Sequence, residues 1–82
     1  MTTPKSDKIV MSIRLSNVHD TPLTVYLEPW GEVHELPPHE TFEAVAEGPA
    51  GDTLALELGA GRITVHGWPG STVRLFHEGR PL

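Results

Sequence analysis

The sequence predicts an all-β domain: a small antiparallel sandwich or barrel of about six to seven strands, immunoglobulin-like or cupredoxin-like in kind. Three observations lead there. Apolar residues recur with a period of two in one short run after another. Clusters of Gly, Pro, Asn and Asp separate those runs at the interval that sandwiches and barrels use. No segment carries a helical apolar stripe with caps.

Residues 1–7 lack apolar periodicity and read as a disordered tail, leaving residues 8–82 as a single domain. In IVMSIRL, Ile9, Met11, Ile13 and Leu15 share one face, and Ser12 and Arg14 the other. In PLTVYLE, Leu23, Val25 and Leu27 oppose Thr24, Tyr26 and Glu28. EVHEL, Glu32–Leu36, is a candidate for one strand more. ETFEAVAEG has Glu and Ala content that favours helix. Its alternation of Phe42, Ala44 and Ala46 with Glu43, Val45 and Glu47, and its stop at Gly48-Pro49, read instead as strand. DTLALEL places Leu54, Leu56 and Leu58 inward, RITVH places Ile63 and Val65 inward, and STVRLFH does the same with Val73 and Leu75. LGAGR, Leu58–Arg62, reads as a tight hairpin with Gly59 or Gly61 at positive φ. About sixteen apolar side chains then point inward, enough for one core.

A chain of 82 residues is one domain with little surface to bury. It has no cysteine, which removes disulfides, thiol catalysis and iron–sulfur ligation. The formal charge is −5, and Arg14, Arg62, Arg74 and Arg80 are scattered among acids. Nucleic acid and anionic membranes are therefore not expected partners, because both need clustered cations. No apolar run is long enough to span a bilayer, and MTTPKSDK lacks the apolar stretch of a signal peptide, so the expected location is cytoplasmic.

The only two tryptophans stand in turns, Trp30 in EPWG and Trp68 in GWPG. Pro29 and Gly31 suit positions i+1 and i+3 of a type I turn, and Pro69 and Gly70 suit i+1 and i+2 of a type II turn. An aromatic ring on a rigid turn is either a lid folded over the end of the core or an anchor for a partner. A second candidate surface is Tyr26, Val45 and Phe76, which alternation places on the outside. If they share a sheet they form an apolar patch suited to a partner.

Five histidines are many for so short a chain. HELPPHE brings His34 and His39 with Glu35 and Glu40 into one stretch, the candidate metal or small-ligand set. The intervening Pro37-Pro38 keeps the chain extended, so this spacing alone is not a chelate. There is no H-x-H of the cupin kind, nor the Cys of a blue-copper site. No nucleophile elbow, phosphate loop or zincin helix occurs, so no catalytic residue and no cofactor are assigned, and the chain does not read as an enzyme.

PLTVYLEPWGEVHELPPHE (Pro22–Glu40) and GRITVHGWPGSTVRLF (Gly61–Phe76) resemble segments of small bacterial all-β proteins of unassigned function. Such a pattern would carry Pro-Gly-Glu where this chain has Pro38-His39-Glu40, which puts a tight positive-φ turn at His39 in doubt. The expectation is a binding or adaptor module that recognises a protein or peptide through the Trp30 and Trp68 turns, through an exposed sheet face carrying Tyr26, Val45 and Phe76, or by strand addition at a sheet edge. The alternative is a small-ligand or metal-binding domain built on residues 32–40. Pairing with a second copy would protect an open edge.

Overall fold

A segment with a period-two pattern buries one row of side chains and leaves the other in water, and the observed strands follow that rule. The computed structural model describes residues 7–82. The strands are β1 (Lys8–Ser16), β2 (Leu23–Glu28), β3 (Glu32–Leu36), β4 (Thr41–Pro49), β5 (Ala55–Gly59), β6 (Arg62–His66), β7 (Thr72–His77) and β8 (Arg80–Pro81). Of the expected N-terminal tail, residues 1–6 lie outside the described residues, and the Asp7 carbonyl accepts a hydrogen bond from the Ala50 N–H at 2.8 Å.

The strands form two sheets, ordered β1-β4-β7-β8 and β3-β2-β6-β5. In the first sheet, Leu15 lies opposite Phe42, Ile13 opposite Ala44, and Met11 opposite Ala46. In the second, Val25 sits between His34 and Ile63, and Leu27 beside Val65. These inner rows close on one another as a single core with Leu36, Val73, Leu75 and Trp68. The inner row of β4 shrinks along its length from Phe42 through Ala44 and Ala46 to Gly48. A Cβ at Gly48 would lie 2.7 Å from Ser71 Cα and 3.1 Å from Trp68 Cζ2, so the row ends in glycine to admit the Ser71 backbone first and the indole beside it.

EVHEL and ETFEAVAE are both strands, with the helix propensity of the latter overridden by pairing on both sides. Four features differ from the sequence expectation. One pairing is parallel: β2 runs alongside β6, with Glu28 opposite His66. β8 is an additional strand two residues long, joined to β7 through Glu78 (φ 53°) and Gly79 (φ 79°), the pair of positive angles of a type I′ hairpin. His39 adopts φ 62°, so the positive-φ turn is present even though no glycine occupies it. Leu56 and Leu58 face inward by register, opposite Val65 and Ile63, and yet are 43% and 77% exposed. They lie on an edge strand, where the other sheet no longer covers the inner face.

Candidate functional site

The parallel pairing of β2 with β6 is what builds the site. Parallel neighbours leave the sheet at the same end. The turn that follows Glu28 and the turn that follows His66 therefore emerge side by side. The Gly67 N–H donates to the Glu28 carbonyl at 2.8 Å and carries the ladder one step past the strands.

The first turn is not type I. The Glu28-Pro29 peptide is cis, Gly31 has φ 73°, and the Gly31 N–H donates to the Leu27 carbonyl at 3.0 Å. The second keeps the expected closure. Gly70 has φ 84° and the Ser71 N–H donates to the Trp68 carbonyl at 2.9 Å, as a type II turn requires. The buried Ser71 hydroxyl oxygen also accepts from the Trp68 N–H at 2.8 Å.

The two rings then take different roles. Trp68 is 5% exposed, and its indole Nε1–H donates to the Pro49 carbonyl at 2.8 Å. It closes the end of the core and satisfies its one donor there, as a buried indole must. Trp30 is 40% exposed. Its ring lies over Gly67, where an added Cβ would come within 2.6 Å of Cη2. Glycine at 67 is therefore a seat for the Trp30 ring. Between the turns is a groove of about 340 Å³, walled by Pro29, Trp30, Trp68 and Pro69, with Glu28 and His66 at its rim. Trp30 also borders a second cavity of about 470 Å³ on the side of the molecule, with Glu32, His34, Arg74 and Leu82. Chemically the end groove offers apolar contact area, rigid proline walls and one rim carboxylate.

Tyr26, Val45 and Phe76 do not form one patch. Tyr26 lies on β2, on the outer face of one sheet, while Val45 and Phe76 lie on β4 and β7 of the other. Alternation assigned each to an outer face correctly but carries no record of which sheet it is. Val45 and Phe76 are diagonal neighbours, since Val45 pairs with Arg74 and Glu43 with Phe76.

Nor are the residues of HELPPHE brought together. His34 is on the inner side of β3, half-buried, and its Nε2 lies 3.2 Å from Glu32 Oε1. Glu35 is on the opposite side of the same strand. His39 reaches Asp20 at 2.8 Å, and Glu40 reaches His77 at 2.6 Å. Among the described residues no three His, Asp or Glu side chains converge on one point. Four of the five histidines instead lie against separate carboxylates, and His66 does so with Glu57 at 3.0 Å. The His77 ring also stacks on Phe42, with centroids 4.5 Å apart.

One structural residue had no signal in the sequence beyond its turn context. Asn17 is 2% exposed. Its Nδ2 donates to the carbonyls of Thr21 (2.8 Å) and Leu36 (3.1 Å), and its Oδ1 accepts from the His19 N–H (3.0 Å). It fastens the β1–β2 connection to the end of β3, at the end of the molecule away from the tryptophans. No family model, no curated protein and no solved structure matches the chain. Among the described residues no helix is long and apolar enough to cross a membrane.

Proposed function

We propose that the protein is a binding module without catalytic activity, which recognises a peptide segment of a partner protein in the groove between the Trp30 and Trp68 turns. The observation that carries this reading is Trp30: a ring seated over Gly67 that still keeps 40% of its surface exposed. A large aromatic already held in place loses little entropy when a partner covers it, which is why such rings anchor interfaces. A groove of about 340 Å³ is at the small end of ligand sites and suits one or two apolar side chains. Glu28 at the rim and a formal charge of −5 favour a segment whose apolar anchor is flanked by Lys or Arg. In this reading the domain is a cytoplasmic sandwich of immunoglobulin-like or cupredoxin-like type, akin to the small bacterial all-β proteins that its tryptophan segments resemble.

Selection from a displayed random-peptide library tests the proposal, with the wild type and Trp30→Ala run in parallel. Peptides enriched by the wild type should carry an apolar residue beside a basic one and should lose at least ten-fold in affinity for Trp30→Ala. Their chemical-shift footprint should centre on residues 28–31 and 66–71. Peptides that bind Trp30→Ala equally well, or that footprint elsewhere, would refute it.

A further inference from the structure

We infer that the free edge of β5 is a self-association surface, where a second copy of this chain adds its own β5 antiparallel across a twofold axis. Among the described residues β5 pairs only with β6, so its other edge is open. Leu56 and Leu58 share the core-facing side with Val65 and Ile63, which are 0% and 7% exposed, but are themselves left at 43% and 77%. An open edge normally carries a guard such as a lysine, a proline or an inward charge. β5 has none of these. Its one charge, Glu57, is on the outer face and within 3.0 Å of His66.

The strand is also self-complementary in one register. Antiparallel pairing centred on Leu56 sets Leu56 against Leu56 of the second copy and Leu54 against its Leu58. On the other face it sets Glu57 against Ala55 of the second copy. Centring on Glu57 would instead oppose two carboxylates, which is unfavourable. Centring on Leu58 would leave Leu54 unmatched. Exposed surface next to the strand can extend the contact. Residues 50–62 are exposed apart from half-buried Leu54. The free edge of β1 lies on the same side, since Thr53 Oγ1 reaches Met11 Sδ at 3.8 Å. On β1, Ile9, Met11 and Ile13 are only partly buried. Residues 50–62 with Ile9, Met11 and Ile13 make 16 residues, fewer than the roughly 20–30 a side of a standard interface, so the dimer is expected to be weak and concentration-dependent.

Sedimentation velocity over a concentration series tests the inference, together with single-cysteine variants, since the chain has no cysteine of its own. The wild-type mass should rise with concentration from 9.0 kDa towards twice that value. Leu58→Glu should weaken association at least ten-fold and stay folded, since that side chain is exposed. Val18→Glu, equally exposed in the β1–β2 connection, should change nothing. Under mild oxidation Leu56→Cys should cross-link, because directly opposed residues have Cα atoms about 4.5–5.5 Å apart, within disulfide reach. Leu58→Cys should not, because its two copies would be separated by four residues, about 13 Å. A wild type that stays at 9.0 kDa throughout, or a dimer that survives Leu58→Glu, would overturn the inference. So would a dimer in which Leu56→Cys fails to cross-link.

Discussion

Trp68→Ala should cost this domain about twice the stability that Trp30→Ala does. Trp68 is 5% exposed and its Nε1–H meets the Pro49 carbonyl at 2.8 Å. Truncating a buried aromatic to alanine costs about 3–5 kcal/mol, and about 1 kcal/mol of that belongs to a carbonyl that loses its donor. Trp30 keeps 40% of its surface in water. Its partial burial, less what alanine would still bury, corresponds to about 2 kcal/mol. At roughly 0.05–0.15 kcal/mol per residue the whole domain is stable by about 4–12 kcal/mol. Whatever the total within that range, Trp68→Ala takes about twice the share that Trp30→Ala does. With a urea slope of about 1 kcal/mol per molar for so small a chain, the unfolding midpoint should fall by about 4 M for Trp68→Ala and about 2 M for Trp30→Ala. Trp68→Phe, which keeps a ring but loses the donor, should fall between wild type and Trp68→Ala. Equal midpoint shifts at the two positions, or a larger one at Trp30, would refute the division of roles between the two tryptophans.

Other positions are open to similar tests. Gly67→Ala should push the Trp30 ring outward and crowd the buried Ser71 hydroxyl, since the new methyl would lie 2.6 Å from Cη2 and 2.7 Å from Ser71 Oγ. The expected result is a red-shifted tryptophan emission with a stability loss of about 1–2 kcal/mol. Gly48→Ala meets backbone as well as a side chain, with Ser71 Cα at 2.7 Å, and should cost about 3 kcal/mol in a urea titration. Asn17→Ala leaves the Leu36 carbonyl buried without the amide that satisfies it and should cost about 2–3 kcal/mol, while the adjacent exposed Ser16→Ala, which loses only a surface hydroxyl pair with Thr41, should cost under about 1 kcal/mol. A cost at Asn17 no larger than that at Ser16 would mean that its bonds do not fasten the β1–β2 connection.

Much of the fold is legible in the residues themselves. Val25, Leu27, Ile63, Val65, Val73 and Leu75 alternate with outward-facing neighbours, polar except for Phe76, and all six are buried. Alternation reports side-chain direction because successive Cβ atoms on a strand point to opposite faces. It does not report what lies across the gap. Leu56 and Leu58 have the right direction and the wrong burial, since burial on an edge strand depends on where the other sheet stops. β8 escapes notice for a different reason: two residues are too few to show a period.

The candidate site was legible in part. Each tryptophan is visibly fixed in a Pro-Gly turn, and the local chemistry of EPWG and GWPG is nearly the same. What separates them is distant in the chain. Trp68 finds the Pro49 carbonyl and the space above Gly48, while Trp30 finds Gly67. The outer faces of Tyr26 and Phe76 were readable, but not that they belong to opposite sheets.

The amino-acid sequence thus determines the positions of the seven longer strands, their face assignments and the turn sites, because each depends on residues within a few positions of one another. Strand order, the parallel β2–β6 pair, the meeting of the two tryptophan turns and the uncovered leucines of β5 were decided only by the tertiary structure. Those depend on contacts between segments tens of residues apart. A period-two pattern is the same whichever neighbour a strand eventually pairs with.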